Sequence, residues 1–115
     1  MKRNKMIFKC VLAIVLMATT SLALSADAIR SEGSIIRLVN FEGHVGTLVR
    51  LSNMTTTEGS CPRNDFYILE ETHKFYEQNY SALLAYKLAD KEVAIVVDEG
   101  DCIQNLPRLK HLYLP

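Results

Sequence analysis

The sequence lacks the short motifs that accompany most catalytic and metal sites. It has no Cys-x-x-Cys pair, no Gly-x-Ser-x-Gly nucleophile elbow, and no loop with the alternating acidic residues and glycine of a calcium site. Its three histidines, His44, His73 and His111, have no Cys, Asp or Glu at the spacing of a metal site or a catalytic triad. These absences predict a protein that is not an enzyme and has no catalytic, metal-binding or cofactor-binding residues. The histidines are expected to be solvated or hydrogen-bonded.

The sequence also lacks an apolar run long enough to cross a membrane. The run over 10–24 holds about 15 residues, whereas a transmembrane helix needs about 20. Basic residues precede this run and small residues follow it, which is typical of a secretory signal peptide. We therefore predict a signal peptide over 1–28, with cleavage after Ala28 or, alternatively, after Ala26. A lipid anchor is not expected, because Cys10 stands at the start of the run rather than at its end.

An excess of basic charge is absent as well. The full sequence has 13 basic and 13 acidic residues. The predicted signal peptide contains four of the basic residues and the acidic Asp27, so nine basic and 12 acidic residues remain, a net charge of −3. Because nucleic-acid binding depends on clustered basic charge, no nucleic-acid partner is predicted. Removing 28 of 115 residues leaves 87, enough for a single small domain over 29–115. We expect this domain in the periplasm or secreted, without a stable membrane anchor.

Cysteine is scarce, and the predicted mature chain contains only Cys61 and Cys102. An exported protein meets an oxidising environment, in which two such residues can pair. The disulfide would close a loop of about 42 residues and would stabilise the fold by about 4 kcal/mol in the chain-entropy model. A reactive thiol or a metal pair is the alternative, but no histidine stands at ligand spacing from either cysteine.

The apolar pattern predicts three strands, one helix and two further strands. A period of two changes to a helical period after Thr72, a potential N-cap, and the helix is expected to stop near 89–90. The predicted strands are 35–41, 47–51, 66–69, 93–97 and 109–114, with a polar surface loop over 53–60. This order predicts an α+β, mainly β fold, a five-stranded OB-like barrel. A helix packed on an open antiparallel sheet is the alternative.

Five segments of the predicted domain resemble a known family. They are Cys61-Pro62, Phe66 to Leu69, Tyr80 to Ala85, Lys91 to Val93, and Cys102. Over roughly 59–114 the chain resembles small exported bacterial proteins related to the binding subunit of subtilase cytotoxin. The resemblance implies an OB-type fold, assembly into rings of five and binding of cell-surface glycans. None of the family's sugar-contacting residues has a matching position here.

The residues themselves offer one candidate ligand surface. Phe66 and Tyr67 project to opposite faces of one predicted strand, so one of them is expected to face outward or toward the ligand side of the barrel. An exposed Tyr67 could stack on a sugar ring while Asn53, Thr55 and Thr57 bind its hydroxyl groups. In the alternative interpretation, Tyr67 packs under the loop and the threonines are only solvated.

Taken together, the features predict an exported, non-enzymatic binding module for a glycan or an envelope component. A homo-oligomer is compatible with this interpretation. The alternative is a structural or protein-interaction factor, such as an inhibitor or an accessory subunit of a secreted enzyme.

Intact mass and thiol titration of the exported protein test the signal peptide and the disulfide together. We expect the mass of a chain that begins at Ile29 or, for the alternative cleavage, at Asp27, with no free thiol. Two free thiols would contradict the disulfide, and retention of residues 1–9 would contradict the signal peptide.

Overall fold

A computed structural model describes residues 27–115, so the predicted signal peptide lies outside the described residues except for its last two positions. The elements follow in the order β1 Ala28–Val39, β2 Gly46–Leu51, a 3-10 turn Thr55–Thr57, β3 Tyr67–Glu70, α1 Tyr76–Leu88, β4 Glu92–Asp98, β5 Cys102–Ile103, β6 Leu106–Pro107 and β7 His111–Tyr113. Within 27–115, no helix has the length and apolar character needed to cross a membrane.

Five strands form one antiparallel sheet in the order β3-β2-β1-β4-β7. The pairing leaves β3 and β7 as its edges, so the hydrogen-bonded ladder does not close into a barrel. A single parallel bridge joins Ile68 of β3 to Arg108, just before β7. Strands β5 and β6 form a separate two-stranded hairpin. The predicted α+β, mainly β class is therefore confirmed, because the described residues form an antiparallel sheet with one helix.

Strand β1 is longer than its apolar pattern predicted. It begins at Ala28 rather than Ile35 and pairs along its first half with β4, from Ala28 opposite Asp98 to Ser34 opposite Glu92. This half was missed because its buried positions are occupied by Ser31 and Gly33, which carry no apolar signal. The predicted cleavage after Ala28 falls at the first residue of this strand.

The start of the helix also differs from the expectation. Thr72 does not cap α1, because its hydroxyl donates to the Glu70 carboxylate at 2.8 Å. Phe75 occupies the N-cap position, and its backbone N–H donates to Nδ1 of His73 at 3.0 Å. His73 therefore accepts the N–H of the residue just before the helix, and α1 itself has no side-chain cap.

The main core lies between α1 and the sheet. Leu83 is the fully buried residue of α1, and Tyr76 and Tyr80 pack beside it. The neighbouring Leu84 on α1 is instead 41% exposed. Residues 93–97 of β4 are all buried, as expected for a strand with neighbours on both sides.

The predicted disulfide between Cys61 and Cys102 is confirmed, with the two Cα atoms 5.8 Å apart. It joins the loop before β3 to the first residue of the β5–β6 hairpin. The adjoining residues add a hydrogen bond from Gly100 N–H to the Ser60 hydroxyl at 3.0 Å. The hairpin is thereby fixed to the loop that precedes β3.

Gly46 permits the close approach of β2 and β3. A Cβ atom at this position would stand 2.0 Å from the carbonyl oxygen of Leu69, a backbone atom that cannot rotate away. We expect Gly46→Ala to lower the free energy of unfolding by about 1–3 kcal/mol, the usual cost of overpacking. Gly33→Ala is the matched control, because the nearest atom there is the rotatable hydroxyl of Ser52 at 2.6 Å. Urea denaturation should give the larger loss at Gly46, and equal losses would contradict the backbone clash.

Candidate functional site

The ring of Tyr67 is packed under the loop rather than exposed, in agreement with the alternative interpretation of the sequence. The Tyr67 side chain is fully buried, and so is Thr57. The expectation that either Phe66 or Tyr67 faces outward was wrong because β3 is covered on both faces. Tyr67 packs in the main core under α1, whereas Phe66 belongs to a second apolar cluster with Leu48, Ile68 and Leu106.

The polar groups around Tyr67 are bonded to one another. Its hydroxyl donates to Ser31 Oγ at 2.8 Å and lies 3.3 Å from Thr57 Oγ1. Thr57 Oγ1 in turn donates to Asn64 Oδ1 at 2.6 Å, and Ser31 Oγ is hydrogen-bonded to Thr56 Oγ1. Because buried polar groups are stable only when paired, this network holds the loop over 53–60 onto the sheet.

The remaining predicted ligand residues also serve the loop itself. Asn53 Oδ1 accepts hydrogen bonds from the Thr55 N–H at 3.2 Å and the Thr55 hydroxyl at 2.7 Å. These short-range bonds are typical of Asx turns. Asn53, Thr55, Thr57 and Tyr67 are therefore brought together by the fold, but as a structural support of the loop.

An ion pair borders this network. Arg63 Nη2 lies 2.7 Å from Asp65 Oδ2, and this hydrogen bond holds the pKa of the Asp65 carboxyl below its usual value. The same bond raises the pKa of the Arg63 guanidinium. Both side chains are largely exposed, so the pair contributes little to stability.

A groove of about 260 Å³ lies between the start of α1 and the edge strand β7. Its lining combines aromatic, imidazole, polar and aliphatic residues, namely His73, Phe75, Asn79, Lys110, His111, Leu112 and Tyr113. Leu112 packs toward the core, so its neighbours His111 and Tyr113 project to the opposite side of the strand. Phe75 is 51% exposed and Tyr113 is 48% exposed. We call this feature the helix–edge groove.

His73 forms the wall between the helix–edge groove and a second groove. Its Nε2 lies 2.9 Å from the carbonyl oxygen of Lys110, while Nδ1 accepts the N–H of Phe75. The second groove, of about 320 Å³, is lined by Glu71, His73, Lys74, Tyr76, Glu77 and Gln78. The same imidazole therefore connects the start of the helix to the chain entering β7.

Two of the cations near the helix–edge groove are held by carboxylates, and Lys74 Nζ lies 5.5 Å from the centre of the Phe75 ring. Lys110 Nζ lies 2.8 Å from Asp98 Oδ2. The Arg30 guanidinium sits 5.1 Å from the centre of the Tyr113 ring and pairs with Glu32 at 2.6 Å. The groove thus offers two exposed aromatic rings beside neutral and charge-paired hydrogen-bonding groups. Such a surface suits a ligand with both an apolar face and hydroxyl or amide groups.

Sequence reasoning did not identify this groove. The histidines were expected to be solvated or hydrogen-bonded, and no ligand surface was predicted at the start of the helix. His73 and Lys110 are 37 positions apart in the sequence, and the hydrogen bond between them depends on where β7 joins the sheet. The alternation of His111, Leu112 and Tyr113 was a usable signal, because it places two aromatic side chains on the outer side of a terminal strand.

Comparison of the chain with protein-family models, curated proteins and solved structures finds no match. The candidate site is therefore defined by its lining residues and by the hydrogen bonds of His73.

Replacing Tyr67 by phenylalanine tests the structural role of its hydroxyl. We expect Tyr67→Phe to lower the free energy of unfolding by about 1–3 kcal/mol, because the buried hydrogen bond to Ser31 and the polar contact with Thr57 are lost. Tyr113→Phe, at an exposed position, is the control and should change it by less than about 0.5 kcal/mol. Urea denaturation measures both, and an unchanged stability for Tyr67→Phe would contradict the network's role.

Proposed function

We propose that this protein is an exported, non-enzymatic binding module that recognises a glycan or an envelope component through the helix–edge groove. The observation that carries the proposal is the pair of exposed rings, Phe75 and Tyr113, lining one groove with Asn79 and the two imidazoles. Sugar rings present apolar C–H faces and hydroxyl edges. Aromatic side chains can bind the faces, and amide, imidazole and backbone groups can bind the edges.

The histidine at the centre of the site supports binding rather than catalysis. Both ring nitrogens of His73 are already engaged by backbone groups. A general base needs a nitrogen within reach of the substrate proton. His73 is therefore better suited to hold the groove in shape than to transfer a proton.

We also propose that the fold is a partly open OB-like barrel and that the chain is exported. The parallel bridge between Ile68 and Arg108 brings the segment before β7 beside β3, the contact that a partly open OB-like barrel requires. The Cys61–Cys102 disulfide is compatible with the oxidising compartment reached through a signal peptide. Glycan recognition is also the function implied by the resemblance to the toxin binding subunits.

A second function, as a protein-interaction factor, is favoured by a different surface. Leu84 and Leu88 lie one turn apart on α1 and are 41% and 80% exposed. Lys87, between them, reaches the carbonyl oxygen of Ile36, whose own side chain is exposed. Apolar side chains grouped in this way can bind a protein partner or a second copy of the chain.

A glycan array probed with the exported protein distinguishes the two functions. We expect retention of oligosaccharides and about a tenfold loss of affinity for Phe75→Ala or Tyr113→Ala, because loss of an aromatic contact costs up to about 1.5 kcal/mol. Tyr113→Phe, which keeps the ring, should retain binding.

The Leu84→Ser, Leu88→Ser double variant is the matched control on the other surface. It should bind the array as the parent does. If the folded parent protein retains no glycan but co-purifies with one protein, and the double variant loses that partner, the interaction function replaces the glycan function.

A further inference from the structure

The contacts of His73 fix its protonation state. A backbone N–H is always a donor, so the N–H of Phe75 requires an unprotonated acceptor at Nδ1, 3.0 Å away. A backbone carbonyl is always an acceptor, so Lys110 O requires a proton on Nε2 at 2.9 Å. Of the three protonation forms of imidazole, only the neutral form with the proton on Nε2 makes both bonds.

These two bonds also determine the shape of the groove. One holds the backbone of Phe75, which carries an exposed ring of the groove. The other holds the carbonyl of Lys110, immediately before the strand that carries His111 and Tyr113. The side chain of His73 therefore joins the two backbone segments that border the groove.

We infer that His73 is the positioning residue of the helix–edge groove, and that it performs this role only as the neutral, Nε2-protonated imidazole. A proton on Nδ1 would place two donors face to face, so the ring would turn away from Phe75. The Phe75 N–H would then lose its acceptor at the start of α1. The positioning role of His73 follows from its two hydrogen bonds. The effect of this role on ligand binding rests on the proposed function.

The surroundings of His73 contain charges of both signs. Glu71, Glu77 and Lys74 line the second groove on one side, and Lys110 and His111 line the helix–edge groove on the other. Lys110 is paired with Asp98. His111 lines the same groove, so an experiment has to follow the two imidazole rings separately.

NMR spectroscopy of the exported, ¹⁵N-labelled protein without ligand tests the inference. Long-range ¹⁵N–¹H spectra at pH 8 should show His73 neutral, with its proton on Nε2. On lowering the pH through the range in which histidine gains a proton, about pH 8 to 5, the Phe75 amide signal should shift with the midpoint of the His73 ring.

Two variants complete the test. His73→Asn places a non-titrating acceptor near the position of Nδ1, so the Phe75 amide should become insensitive to pH. His44→Gln removes a histidine of the β1–β2 loop and should leave the Phe75 response unchanged. An Nδ1-protonated His73 at pH 8, or a Phe75 amide in the parent protein that does not follow the His73 ring, would overturn the inference. Because no ligand is used, these outcomes are independent of the glycan array.

Discussion

The division of strand β1 between two partners is the constraint on which the rest of the structure depends. Its first half pairs with β4 and its second half with β2, and the exchange occurs between Ser34, opposite Glu92, and Ile35, opposite Leu51. The register shifts between Ile35 and Arg37, an irregularity that lets a strand bend and twist more strongly. One half of the sheet therefore carries β2 and β3 and the other carries β4 and β7, with α1 packed against both.

This arrangement explains why a small domain has two apolar clusters. The main cluster lies under α1, and the second lies on the opposite face of β3, where Leu106 of β6 covers Ile68. The β5–β6 hairpin is too short to hold itself in place, since an isolated two-stranded hairpin is marginal in water. The Cys61–Cys102 disulfide and the hydrogen bond from Leu109 N–H to Ile68 O attach it to β3. The disulfide thus supports the second cluster as well as constraining the unfolded chain.

The parts of the fold that follow from local pattern were predictable, and the parts that follow from pairing were not. The apolar residues of β4, the helical period after Thr72 and the two available cysteines indicated the central strand, the helix and the disulfide. The sequence left open whether Tyr67 is exposed or buried, because strand alternation predicts two faces but not that both are covered. The helix–edge groove was missed for a related reason. Its residues come from two distant segments, and only the pairing of β7 with β4 brings them together.

The aromatic rings of the groove are held in position without being buried. A short edge strand remains soluble when its outward side chains are polar, and His111 supplies one. Tyr113 adds an exposed ring whose place is fixed by the Arg30 guanidinium, itself held by Glu32. Lys74 Nζ lies 5.5 Å from the centre of the Phe75 ring, whose backbone N–H is bonded to His73. Both aromatic residues at this edge are thus exposed, and yet each is contacted by a cation. In the proposed function, such contacts would reduce the conformational entropy that these side chains lose on binding a ligand.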